Sequence, residues 1–74
     1  MTEDENCELA KLGARLRKYR QEKGYSQEKF AELTGLDRTY ISGLERGKRN
    51  PSFLIIKKLA EVLTITPSDL FFDK

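Results

Sequence analysis

Residues 27 to 46 read QEKFAELTGLDRTYISGLER and contain two short helical patterns on either side of a glycine. Ala31 lies four residues before Gly35, whereas Ile41 and Leu44 lie six and nine residues after it. The alanine permits close approach of a second helix, the glycine can take the positive φ of a tight turn, and the later apolar residues anchor that helix to a core. The stretch predicts two helices joined by a glycine turn, and an ordinary αα-hairpin would show the same spacing.

The composition predicts one small globular domain spanning residues 1 to 74. Of its residues, 35% are charged and 38% hydrophobic, and a chain of 74 residues has a core only just large enough to fold alone. There is no apolar run near the ~20 residues of a membrane span, and the acidic start MTEDENCE does not resemble a signal peptide. The single cysteine, Cys7, suits a reducing cytoplasm, although it leaves an intermolecular disulfide open.

Charge is distributed unevenly along the chain. Residues 9 to 74 hold all 14 basic residues but only 8 of the 12 acidic ones, an excess of 6 positive charges. Such an excess of positive charge favours binding to polyanions such as nucleic acids, because binding releases counterions. The same excess also occurs on ordinary helix surfaces.

Apolar spacing and capping residues predict the first three helices. Residues 1 to 6 lack a periodic pattern and are predicted to be a flexible acidic tail. A first helix is expected from about Cys7 to Gly24 on the spacing of Leu9, Leu12, Leu16 and Tyr19. Ser26 and Asp37 are good N-caps for the second and third helices. The predicted inward face of the second helix consists of Phe30, Ala31 and Leu33.

The outward face of the third helix is predicted to be polar and basic. At ~100° per residue, with Ile41 and Leu44 buried, this face carries short hydroxyl side chains and arginines. They are Arg38, Thr39, Ser42 and Arg46, with Tyr40 to one side and Gly43 allowing close approach. Arginine can form two hydrogen bonds to guanine, and serine and threonine can donate or accept, so the face suits the reading of base edges.

Glu45 falls on the flank of the buried side of the third helix, which is unusual for a carboxylate. Arg20, one turn before Gly24, is the expected partner in a partly buried ion pair between the first and third helices. Two solvated charges are the alternative.

Other polar residues suit contacts to the phosphate backbone. Gln27, in the first turn of the second helix, can donate to a phosphate beside free helix N–H groups, although simple hydration of the helix end is the alternative. After Gly47, the side chains of Lys48, Arg49 and Asn50 could bind phosphates, or could form only a solvated basic loop.

Ser52 is expected to cap a fourth helix, and Thr66-Pro67-Ser68-Asp69 to begin a short fifth helix with a capping box. Their apolar set is wider than one stripe facing a small core. The candidates for a homodimer interface are Ile56, Ile65, Phe71 and Phe72. Alternatively, the C-terminus folds back over its own core.

The chain lacks the residues of common catalytic and metal sites. It has no histidine, one cysteine and no glycine-rich phosphate loop, which excludes Cys/His metal clusters and Ser-His or Cys-His nucleophiles within it. No cofactor, metal, membrane contact or small-molecule substrate is predicted, and a hydrolase is disfavoured.

The segment from Arg20 to Gly24 and the segment SQEKFAELTGLDRTYISGLERGKRNPS, from Ser26 to Ser52, resemble the phage-repressor-like (Cro/C1, XRE) helix-turn-helix domain. The resemblance covers about residues 9 to 72 and implies an all-α, five-helix, lambda repressor-like fold. Within that superfamily, residues 37 to 43, Glu45-Arg46 and Arg49-Asn50-Pro51 are similar to the controller proteins of restriction-modification systems.

This resemblance implies a homodimeric transcription regulator that binds pseudo-palindromic operators in double-stranded DNA. Such proteins activate and then repress their own gene and the endonuclease gene, and they contact RNA polymerase during activation. Position by position, it assigns base edges to Arg38, Thr39 and Ser42, the operator centre or backbone to Tyr40, and phosphates to Gln27, Arg46, Arg49 and Asn50.

Two rival functions remain at this point. A phage or plasmid repressor shares the same binding chemistry, and gene neighbourhood would separate it from a controller. An antitoxin-like protein-interaction module would dimerise but bind DNA weakly and without sequence preference.

Overall fold

Five α-helices form the protein in the computed structural model, which describes residues 3 to 72 and the side chains of residues 6 to 72. They are α1 (Glu3–Glu22), α2 (Gln27–Thr34), α3 (Arg38–Glu45), α4 (Phe53–Leu63) and α5 (Pro67–Phe71). There is no strand within these residues, so the predicted all-α, five-helix fold class is confirmed. Within the same range, no helix is both long and apolar enough to cross a bilayer.

The first helix starts earlier than its apolar pattern predicted. α1 begins at Glu3, whereas the predicted start lay near Cys7. The apolar pattern begins only at Leu9, so it gave no information on where the polar turn before it starts. Residues 3 to 6 are therefore helical, the flexibility of the tail at residues 1 to 6 stays a prediction, and Met1 and Thr2 lie outside the described residues.

The core takes side chains from all five helices, so no pair of helices buries its apolar surface alone. The largest fully buried apolar side chains are Leu16 of α1, Phe30 of α2, Ile41 of α3, Leu59 and Leu63 of α4, and Leu70 of α5. Leu44 also joins this cluster, so both predicted anchors of α3 are buried. This arrangement fixes the orientation of α3 on the rest of the domain.

The residues predicted as N-caps form capping hydrogen bonds at the starts of α2 to α5. The side chain of Ser26 accepts from the backbone N–H of Lys29 at 2.9 Å, and that of Asp37 accepts from the N–H of Thr39 at 2.9 Å. At the start of α5, the N–H of Thr66 donates to Asp69 Oδ2 at 2.9 Å. Ser52 likewise caps α4. These bonds satisfy donors that have no partner within the helix.

One prediction on the inward face of α2 is wrong. Leu33 is exposed, and Thr34 takes the buried position. Thr34 lies four residues after Phe30, on the same side of the helix, whereas Leu33 points aside. The Thr34 hydroxyl donates to the carbonyl oxygen of Ala31 at 3.2 Å and accepts from the N–H of Leu36 at 3.3 Å, so its burial leaves no polar group unsatisfied.

Candidate nucleic-acid interface

The turn between α2 and α3 depends on the backbone of Gly35. This residue has φ 72°, in the left-handed region, and its N–H bonds to carbonyl oxygens at the end of α2. An added Cβ would meet only Lys58 Nζ, at 3.7 Å. Glycine is therefore favoured here because of the φ angle rather than because of lack of space. The two helices have the bounds predicted for the unit at about residues 27 to 46.

α3 packs directly against α1 at Gly13, a position that was not predicted to have a role. A Cβ at this position would lie 2.3 Å from the carbonyl oxygen of Leu44 and 2.6 Å from that of Glu45. Only a glycine allows the two backbones to come so close. The available signal was a glycine inside a helical pattern, which costs about 1 kcal/mol relative to alanine and so indicates a packing requirement.

An enclosed ion pair joins α1 to the end of α3. Arg20 Nε donates to Glu45 Oε2 at 2.6 Å, and Arg20 Nη2 donates to Glu45 Oε1 at 3.0 Å. The two side chains are 9% and 4% exposed. Arg20 Nη1 also donates to the carbonyl oxygen of Tyr25, at 2.6 Å. The residues paired in the sequence analysis therefore form a two-pronged contact, and the alternative of two solvated charges does not apply.

Gln27 belongs to the same network. Its Nε2 donates to Glu45 Oε1 at 3.2 Å, so the first residue of α2 is oriented by the last residue of α3. An amide nitrogen carries two hydrogens, and the second is left for another acceptor. A phosphate contact by Gln27 stays a prediction, and simple hydration is not the only role of this side chain.

The outward face of α3 carries the predicted base-reading residues. Arg38 and Thr39 are exposed in its first turn, and Ser42 and Tyr40 are half-buried. Arg46, just after the helix, is exposed, and its Nε donates to the carbonyl oxygen of Ser42 at 3.4 Å. The fold therefore exposes Arg38 and Thr39 on α3, whereas Tyr40 packs partly against the core cluster and Arg46 follows the end of the helix.

Arg49, in the loop after α3, lies against Gly43 of that helix, a contact that was not predicted. Lys48, Arg49 and Asn50 are all exposed, but the stem of Arg49 lies over Gly43, where an added Cβ would be 3.0 Å from Arg49 Cγ. Gly43 is consequently buried, and the space at its Cα is used by an arginine of the same chain. The guanidinium carbon of Arg49 lies 5.9 Å from the ring centroid of Tyr40.

An apolar groove lies between α1, the loop before α4 and the end of α5. Its walls include Leu12, Pro51, Phe71 and Phe72, and Asn50 lies at its edge. Phe71 and Phe72 are exposed, as a role at an interface requires. We call this surface the C-terminal apolar groove.

Two of the predicted interface residues do not lie on the free surface as expected. Ile56 is only 6% exposed and packs with Leu59 and Leu63 in the protomer's own core, because residues three and seven positions apart share a helix face. It also lines the C-terminal apolar groove, so a role of Ile56 at a dimer interface stays a prediction. Ile65 is half-buried against the same core.

The first turn of α4 exposes apolar side chains that were not predicted to be free. Leu54 is 74% exposed and Phe53 64%, compared with 67% for Phe72. The signal in the sequence was an apolar set on this helix too wide for one face. It did not identify which members of the set would remain outside.

Among the side chains of residues 6 to 72, no group of histidine, cysteine or carboxylate residues is arranged to hold a metal ion.

The fold and this face of α3 define a helix-turn-helix protein, and three comparisons agree. Residues 16 to 70 match the family model described as Helix-turn-helix. The control protein C.MunI of Mycoplasma sp is 48% identical over 64 residues, which cover 85% of this chain and 86% of that protein. The crystal structure of the restriction-modification controller protein C.AhdI from Aeromonas hydrophila is 54% identical, with a TM-score of 0.85, and the match covers 88% of this chain and 98% of that one.

A further solved structure is that of SinR, the master regulator for biofilm formation, in complex with DNA. It is 37% identical with a TM-score of 0.79, and the match covers 82% of this chain and 98% of that one. The chain belongs to the helix-turn-helix family of transcriptional regulators, which are not enzymes. The resemblance to controller proteins is confirmed, and at 54% identity the chain is a relative of C.AhdI with its own distinct sequence.

Proposed function

We propose that the protein is a transcriptional regulator of the restriction-modification controller type. It acts as a homodimer on pseudo-palindromic operators, and it activates and then represses its own gene and the endonuclease gene. The observation that carries this proposal is the outward face of α3, which presents Arg38 and Thr39 on a helix whose opposite side is anchored by Ile41 and Leu44. A helix held in this way can enter the major groove in one orientation.

The proposed contacts divide into two groups. Arg38, Thr39, Tyr40 and Ser42 read base edges, since their groups can donate or accept in the major groove or meet a thymine methyl. The backbone group positions the protein on the duplex through charge and amide donors. It consists of Gln27, Arg46, Lys48, Arg49 and Asn50.

The proposed dimer forms through the C-terminal apolar groove, with Phe71 and Phe72 exposed at its rim. Ile65 does not line this groove and is kept as a further candidate for the interface. For activation, the exposed residues Glu28, Lys29 and Glu32 of α2 are proposed to face RNA polymerase. Because its target is the DNA of the bacterial cell, the protein is proposed to act in the cytoplasm.

A footprint over the promoter of the protein's own gene tests this function. We expect protection of two half-sites about 10 base pairs apart between centres, as a two-fold dimer requires. A second pair should be protected at higher protein concentration. A promoter with one half-site scrambled is the control. Equal binding to intact and scrambled promoters would favour a protein-interaction module, and repression without activation at any concentration would favour a phage or plasmid repressor.

A further inference from the structure

Arg49 lies along α3 although it belongs to the loop that follows this helix. If Gly43 had a Cβ, that atom would be 3.0 Å from Arg49 Cγ, 3.3 Å from Nε and 3.7 Å from Cδ. The guanidinium carbon is 5.9 Å from the Tyr40 ring centroid, within the range of a cation–π contact. The aliphatic stem of Arg49 therefore packs on the backbone of Gly43, and its guanidinium lies near the ring of Tyr40.

These contacts restrict a side chain that would otherwise be mobile. An arginine in a solvated loop samples many rotamers and loses that freedom when it binds a phosphate or a base. The flat guanidinium stacks well on aromatic rings, whereas a lysine ammonium lacks this geometry. Contacts with Gly43 and Tyr40 restrict Arg49 before any ligand arrives.

We propose that Tyr40 and Gly43 are positioning residues for Arg49 and hold its guanidinium beside α3 in the orientation used on DNA. We call these two residues the Arg49 seat. The inference rests on the proposed DNA-binding function. It gives Gly43 a role in accommodating the Arg49 stem rather than in close approach of DNA, and it gives the Tyr40 ring a role separate from that of its hydroxyl.

The free protein provides a first test, by NMR of the Arg49 side chain without DNA. The ring current of Tyr40 should shift the Arg49 Hγ and Hδ signals in wild-type protein. Tyr40→Phe keeps the ring and should keep the shifts, whereas Tyr40→Leu should lose them. Tyr19→Leu, at a ring near Lys18 instead, is the control and should leave them unchanged. Equal Arg49 shifts in wild type and Tyr40→Leu would overturn the proposal.

A double-mutant cycle on operator DNA provides the second test. Gly43→Ala adds a methyl group at the position of the Arg49 stem, and alanine is a better helix former than glycine, so the fold should persist. We expect the dissociation constant to rise about three- to tenfold, the cost of freeing one long side chain. In an Arg49→Ala background, the same change should matter less than about twofold, since the stem is gone.

The outcomes separate this inference from the function on which it rests. Equal losses from Gly43→Ala with and without Arg49 would mean that the methyl strikes DNA directly, and the seat would be rejected. If Gly43→Ala left the affinity for operator DNA unchanged both with and without Arg49, the Arg49 seat would be rejected as well. If wild-type protein showed no preference for its operator, the proposed function would fail, while the NMR shifts of the free protein would still decide the Arg49 seat.

Discussion

At the scale of single residues, Arg20 and Glu45 are charged side chains with a structural role, because they form an ion pair inside the protein. Both side chains are withdrawn from water at the junction of α1 and α3, and the pair also orients Gln27 at the start of α2. A buried pair is worth little compared with apolar residues of similar size, but one member left alone is costly. The contribution of this pair is therefore to the arrangement of three helices around the candidate site.

We expect Arg20→Ala to lower the free energy of unfolding by about 3 to 5 kcal/mol, because Glu45 would remain buried without its partner. Urea unfolding followed by circular dichroism measures this. Arg17→Ala, at an exposed position of the same helix, is the control and should change little. If the two variants unfolded alike, the ion pair would be unimportant for stability. Replacing both Arg20 and Glu45 with methionine should recover most of the loss.

Arg38 is exposed in the first turn of α3 and is the strongest candidate for base reading. Arg38→Ala should cost about 1 to 3 kcal/mol on the operator and relax the preference at one base pair. Lys48→Ala is the matched comparison, and it should weaken all sequences alike and reduce the salt slope by about 1. Binding isotherms on the operator and on unrelated DNA at several salt concentrations distinguish the two. Equal losses on both DNAs for Arg38→Ala would remove it from the base-reading group.

At the scale of elements, the unit of α2, turn and α3 is specified by local chemistry. The caps Ser26 and Asp37, the turn glycine and the anchors of α3 could all be predicted, because each depends on neighbours within a few residues. Leu33 and Thr34 could not be assigned correctly, since a threonine can be buried when its hydroxyl bonds within its own turn. Periodicity alone does not reveal that bond.

We expect Gly35→Ala to lower the free energy of unfolding by about 1 to 2 kcal/mol, the cost of a left-handed conformation for a residue with a Cβ. Gly35→Asn should cost less, because asparagine tolerates this region. No clash contributes, since the nearest atom to an added Cβ is the flexible end of Lys58 at 3.7 Å. Chemical unfolding of both variants tests the point, and equal stability of Gly35→Ala and wild type would contradict it.

At the scale of the whole molecule, the distance between two copies of α3 decides whether both can bind one face of DNA. A two-fold dimer must place them about 34 Å apart. The C-terminal apolar groove involves α1, α5 and the loop before α4 and leaves the outward face of α3 uncovered. This surface suits a dimer that reads two half-sites.

Phe71→Ala should raise the dissociation constant of the dimer about tenfold, as for the loss of one aromatic anchor, and should weaken operator binding through it. Leu33→Ala is a matched control, because Leu33 of α2 is 42% exposed and Phe71 is 41% exposed. Sedimentation of both variants over a range of concentrations measures the effect. An unchanged dimer for Phe71→Ala would place the interface elsewhere, with the exposed Phe53 and Leu54 as the next surface to test.

The sequence by itself determined the five helices, their caps, the glycine turn and the polar face of α3. These features depend on hydrogen bonds and side-chain spacing within one or two turns of helix. The partner of Glu45 could also be inferred, because a carboxylate on a buried flank requires a nearby cation.

Only the tertiary structure decided which apolar and flexible side chains meet across elements. Ile56 proved to be buried while Phe53 and Leu54 remained outside, since a helix has an apolar face on its own but is covered only where other elements reach it. Gly13 mattered because two backbones touch there, and Arg49 folded back over Gly43 toward Tyr40. Contacts of this kind join residues from separate elements or follow a loop, so a local pattern can mark such a position but does not identify its partner.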